Sequence, residues 1–200
     1  MEAKHFYSLN IKEDGEKMNN MKTILYSKIK NVISHWDLKN VKVIGMIVQE
    51  FDKKYIDVVL SYNNWDDYEA ISDKEECWNY ACWNPEHEEI LIDEKNQVEI
   101  RRWLEEKGVI KIGADEGEDI YDENGFYVGP GPNGMKEFIE VLVEIVKQMH
   151  QDEIVKKKTG SDLPILITDL EYSGYFIKAT EEANDMELIE DFLKWVYDEN

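Results

Sequence analysis

Ten residues constrain this chain more than any others: Leu163–Tyr172, LPILITDLEY. Pro164 aside, the first five are apolar and mostly branched, which suits a strand covered on both faces. Charge then enters with Asp169 and Glu171, followed by Tyr172 and the breaker pair Ser173-Gly174. The pattern predicts a central strand over 163–170 whose C-terminal end carries two carboxylates and a phenol to the rim of a sheet. In open α/β sheets that rim is where ligands usually sit.

The rest of the chain supplies partners for such a strand. Val41–Glu50 and Tyr55–Tyr62 are rich in Val and Ile and are separated by Asp52-Lys53-Lys54, which predicts a hairpin over 41–62. In its second arm Ile56, Val58 and Leu60 alternate with Tyr55, Asp57, Val59 and Ser61, so one face is buried and the other mixed. A helix is expected from Met18 to Trp36, with Met21, Leu25, Ile29, Val32 and Trp36 at helical spacing. Another runs over Gln97–Lys107, with Val98, Arg101 and Leu104 on one stripe, Ile100 and Trp103 beside it, and Gly108 ending it. The broad apolar stripe of Met135–Val155 belongs in a core, and Lys156-Lys157-Lys158 suits the dipole at its end. The last helix spans Asp185 to Tyr197, and Asn184 with Glu187 has capping-box spacing. Residues 1–16 read as a loose N-terminal segment and Lys111–Gly134 as a long acidic loop. The order predicts a single α+β (or mixed α/β) domain with helices packed on a small mixed sheet.

Charge narrows the function. The 200 residues carry 44 acids against 23 bases, a formal net charge of -21. That much negative charge disfavours nucleic acid and anionic lipid and favours a basic partner or plain solubility. An apolar fraction of 42% with 12% aromatics supplies a core that disordered acidic chains lack. Met1–Asn10 has no apolar run, so no secretory leader is expected, and no segment reaches membrane-spanning length. Two cysteines do not make a disulfide-stapled fold, and the natural assignment is the cytoplasm.

Four clusters are candidates for chemistry. Trp78, Tyr80 and Trp83, with Trp65 and Tyr68 upstream, are large aromatics set among Asn, Cys and acids. They suit a binding hot spot, or else they fill the gap between sheet and helices. Cys77, Cys82 and His87 hold too few ligands at the wrong spacing for a zinc knuckle, so no metal or other cofactor is expected. Asp115, Glu116, Glu118, Asp119, Asp122 and Glu123 surround Gly117. The EF-hand pattern fails when counted back from Gly125, which leaves a solvated loop, a loose surface calcium site, or a mimic of a nucleic-acid backbone facing a basic protein. Gly129–Lys136 lacks the Lys-Ser/Thr order of a phosphate loop. Asp169 and Glu171 would share a face on a regular strand, and with Tyr172 they form an alternative pocket; otherwise these acids cap neighbouring backbone.

The block from Leu163 through Asp169-Leu170-Glu171-Tyr172, with Glu182-Ala183-Asn184 and the helix ending Phe192-Leu193-Lys194-Trp195, resembles the C-terminal part of uncharacterised acidic bacterial proteins. Some of these belong to the immunity proteins of polymorphic toxin systems, and the Cys77–Trp83 segment is similar to their Trp-containing middle. The resemblance implies a cytoplasmic protein that neutralises a basic toxin enzyme such as a nuclease, and it carries no catalytic motif. On that expectation Trp78, Tyr80 and Trp83 are anchors and Asp115–Glu123 is the steering surface. The competing expectation is a small-molecule or hydrolytic pocket at the end of strand 163–172. A structural subunit of a homo-oligomer is a third.

Overall fold

The structure, a computed structural model, describes residues 21–51, 55–64, 77–109, 123, 129 and 135–198. It is an α+β fold built on a four-stranded mixed sheet. Residues 21–35 form α1, and the hairpin follows as β1 (Val41–Phe51) and β2 (Tyr55–Asn64). The two are antiparallel, with Ile44 opposite Tyr62 and Met46 opposite Leu60. β2 runs two residues beyond the predicted hairpin, taking in Asn63 and Asn64. Of the three apolar residues Ile90–Ile92 only Ile90 lies in a strand, β3 (Glu89–Ile90). Two helices come next, α2 (Glu94–Glu106) and α3 (Met135–Gln151), and then a single turn, α4 (Lys156–Thr159). The chain ends with β4 (Ile165–Thr168), α5 (Gly174–Ala183) and α6 (Met186–Asp198).

The sheet order is β3-β2-β1-β4, and β4 runs parallel to β1. All four β4 residues are buried, as the apolar run requires. Its burial is that of a central strand, while its hydrogen-bonded position is at the end of the order. Side chains complete that edge. Thr180 Oγ1 accepts from the Ile167 N–H and donates to the Ile167 carbonyl, both at 2.8 Å. One turn later, at the C-cap of α5, Asn184 does the same for Ile165, at 2.9 Å in each direction. In a parallel pair alternate residues turn their N–H and C=O outward, so a helix with two polar side chains four apart satisfies both. The outer edge of β2 is closed in the same manner. The Ile56 carbonyl accepts from Gln97 Nε2, and the Val58 carbonyl accepts from the Leu91 N–H.

Strand alternation separates two cores. Ile44, Met46, Val48, Ile56, Val58, Leu60, Ile165 and Ile167 face α1, α2 and α3 in the larger one. Val43, Ile47, Val59 and Leu166 face the other way, against Trp83 and α6 residues Phe192 and Val196. α5 sits beside β4 and serves both, Phe176 and Ala179 to the first and Ile177 to the second. Gly45 lies on the second face, and a Cβ there would come within 2.8 Å of the Trp83 ring. Close approach of that indole is what the glycine permits.

Several local expectations change. α2 begins at Glu94, three residues early, because the Asp93 carboxylate accepts from the Asn96 N–H. Its buried face is Asn96, Ile100, Trp103 and Leu104, so the predicted stripe is rotated and Val98 is 58% exposed. Gly108 does end it, at φ +82°, and the Val109 N–H returns to the Leu104 carbonyl. α3 stops at Gln151, and Glu153 at φ +54° turns the chain before α4. Lys158 therefore serves a different helix end: its ammonium donates to the carbonyls of Ile33, Ser34 and Trp36, at and just beyond the end of α1. Asn184 is committed to β4 rather than to the α6 capping box. Among the described residues no helix is long and apolar enough to cross a membrane.

Candidate functional site

The aromatic segment sits over the second core face and is held there by specific hydrogen bonds. The Cys77 carbonyl accepts from Asn63 Nδ2 at 2.9 Å and from the Trp83 indole at 3.0 Å. Asn79 caps the one-turn 3-10 helix Tyr80–Cys82 by accepting from the Ala81 N–H. Tyr172, far along the chain, then clamps the segment. Its hydroxyl donates to the Trp78 carbonyl at 2.8 Å and accepts from the Tyr80 N–H at 2.6 Å. Tyr172 takes φ +52°, a left-handed conformation that costs a non-glycine residue on the order of 1 kcal/mol. The surrounding contacts hold it there.

These elements bring together residues far apart in the chain. Trp78 and Tyr172 lie 5.9 Å and 6.4 Å from the Phe192 ring, and Trp195 lies 6.2 Å from it. The Tyr172 and Trp195 rings meet edge to face at 5.1 Å and 83°. Phe192 is sealed inside, whereas Trp78, Tyr80, Tyr172 and Trp195 are half-buried. Carboxylates surround them. Burial and a hydrogen bond to Glu88 push the Tyr80 phenol up. Burial, with the nearby charge of Asp191 adding to it, raises the Cys77 thiol to about 11.

The predicted site residues thus separate. Trp78 and Tyr80 reach the surface cluster, while Trp83 is a core residue, 5% exposed and packed over Gly45. Asp115, Glu116, Glu118, Asp119 and Asp122 lie outside the described residues, as do Trp65 and Tyr68. Glu123 is an exposed turn residue. The strand ends before Asp169, so Asp169 and Glu171 do not form a facing pair on it. Asp169 accepts from the Ser173 N–H and hydroxyl at the entrance to α5, and Glu171 is exposed. Tyr172 turns inward to the aromatic cluster. A cavity of about 350 Å³ between α1 and α2 is lined by Ile24, Leu25, Ile100 and Trp103. Cys77 is buried, Cys82 exposed, and His87 stacks on Tyr62 at 4.0 Å. Among the described residues no group of three or more His, Cys, Asp or Glu side chains is placed to hold a metal.

Sequence reasoning missed Trp195, Asp191 and Phe192 as members of this cluster. The available signal was the helical spacing of Asp191 and Trp195, four apart at one edge of the α6 apolar stripe.

Charge is unevenly paired. The ion pairs recorded among the described residues all involve α1 to α4 and their flanks: Lys22–Glu144, Lys28–Asp93, Arg101–Glu105, Lys147–Glu144, Lys157–Glu153, and Lys156 with Glu153 and Asp162. On the α6 side, Glu88, Glu171, Glu187, Glu190 and Asp191 are exposed, and none has an ion-pair partner among the described residues. Lys194 is the single base in α6.

The two thiols report on this packing. Ellman's reagent at pH 8 is expected to titrate Cys82 rapidly and Cys77 only on unfolding, because the thiolate is the reactive form and Cys77 is buried with its pKa raised. Two fast thiols in the native protein would show that the segment is not seated as described. The raised value has a linkage consequence: the folded state disfavours the Cys77 thiolate, so this contribution is complete below the ordinary thiol pKa and is lost as pH rises toward about 11.

Comparison with family models, with characterised proteins and with solved structures finds no match.

Proposed function

We propose that this chain is an acidic cytoplasmic binding protein of the immunity type, which neutralises a basic partner such as a toxin nuclease. The observation that supports this reading is the arrangement on the α6 side. A half-buried aromatic cluster there lies among exposed carboxylates that have no ion-pair partners among the described residues. Aromatic side chains bring large contact area at low entropic cost, and carboxylates around them steer a basic protein into register. The β4 edge of the sheet is closed by α5-side polar groups, which disfavours recognition by strand addition there. The second reading, a small-molecule or hydrolytic pocket at the end of β4, loses support because Asp169 is engaged by Ser173 and Tyr172 is packed against Trp195.

The test is capture on the immobilised protein from a lysate of its source cells, followed by titration of the purified partner at rising salt. The expected partner is basic, and its association rate falls steeply as the Debye length drops below about 10 Å near 0.1 M salt. Recovery of no basic protein, or binding indifferent to ionic strength, would reject the proposal.

A further inference from the structure

The geometry points to a more specific feature of that surface: the seam between α6 and residues 77–80 is a seat for an arginine side chain of the partner. This rests on the reading of the α6 side as a docking surface. At the seam two indoles, Trp78 and Trp195, flank Phe192 and keep part of their surface in solvent. Asp191 stands one helical turn before Trp195 on the same side of α6, and its charge reaches Cys77, the residue before Trp78. Asp191 has neither a hydrogen bond nor an ion pair among the described residues.

Elsewhere the protein provides its own cation for a comparable indole: Lys107 Nζ lies 5.6 Å from the Trp103 ring centre. Neither Trp78 nor Trp195 receives one from the described residues. An indole surface with an adjacent unpaired carboxylate suits a planar, weakly hydrated cation, which can lie on the ring while its N–H groups bond the carboxylate. Guanidinium meets that description. Ammonium, compact and strongly hydrated, meets it poorly. Tyr172 keeps the seat assembled by bonding both Trp78 and Tyr80 through its hydroxyl.

The probes are two capped peptides of equal charge, tetra-arginine amide and tetra-lysine amide, titrated into the intact protein and followed by the indole N–H signals in 15N-resolved NMR. The expected result is movement of the Trp78 and Trp195 indole signals and binding of tetra-arginine about tenfold tighter than tetra-lysine. Asp191→Asn, an exposed change that spares the core, is expected to erase most of that preference. Glu190→Gln, which removes the same charge from the opposite edge of the α6 stripe, is expected to retain it. Equal binding of the two peptides, unmoved indole signals, or equal effects of the two variants would each overturn the seat and leave only diffuse charge attraction. Failure here with a basic protein still captured places docking elsewhere on the surface. Arginine preference without any captured basic protein rejects the broader reading and keeps the seat.

Discussion

Phe192→Ala is expected to destabilise the protein by about 4 kcal/mol, the cost of emptying a fully buried aromatic site. Phe192 is 1% exposed and belongs to the core on the α6 face of the sheet. It also serves as the support for the surface cluster, since Trp78, Tyr172 and Trp195 all pack on its ring. The void cannot refill easily. Trp78 is restrained by the Tyr172 hydroxyl at its carbonyl, and Trp83 is restrained by its own indole hydrogen bond. Urea unfolding is expected to show the lower midpoint with an unchanged slope, and near-UV circular dichroism to show loss of ordered aromatic signal. The Cys77 thiol is expected to become reactive in the same variant. A loss below about 1.5 kcal/mol would mean the cluster repacks freely, and a freely repacking cluster makes a poor preorganised docking surface.

Thr180→Val is expected to cost about 3 kcal/mol although it preserves shape and adds apolar surface, because two buried backbone groups lose their partner. Thr180 and Ile167 are both fully buried. The Thr180 hydroxyl is donor to the Ile167 carbonyl and acceptor from its N–H. Valine offers neither function. Thr180→Ser keeps the hydroxyl and loses only a methyl group, for about 1 kcal/mol. The expected order, Ser milder than Val, is opposite to the order that apolar packing alone gives. Urea midpoints for the two variants decide it, and a Val variant as stable as wild type would show that the strand edge is satisfied by other means.

Much of the architecture was legible in the sequence because it depends on local pattern. The hairpin follows from the Val- and Ile-rich runs on either side of Asp52-Lys53-Lys54, and β1 pairs with β2 accordingly. The α3 stripe of Phe138, Leu142, Ile145 and Met149 is buried as its spacing requires. α5 was not foreseen. Ser173-Gly174 reads as a break, yet Gly174 is its first residue, because Asp169 binds Ser173 and so organises the preceding turn. Phe176, Ile177 and Thr180 have helical spacing, but the stretch is short, and its two polar contacts with β4 cannot be inferred from spacing alone.

The candidate site was half legible. Trp78 and Tyr80 were marked by an unusual local density of aromatics, and they do reach the surface. Trp83, in the same segment, is buried because Gly45 on β1 leaves room for its ring. The sequence places Tyr172 at a strand rim, whereas its hydroxyl reaches back to residues 78 and 80.

By itself the sequence determined the charge surplus, the hairpin, the buried strand and the main amphipathic helices, since each is a property of composition or of a period read over neighbouring residues. Tertiary structure decided which acids remain without a cation, which tryptophan is sealed and which is left half open, and that β4 ends the sheet with α5 side chains bonded to its edge. Those outcomes are set by contacts between segments far apart in the chain, such as Tyr172 with Trp78, 94 residues away, and no local pattern encodes the distance between two such side chains.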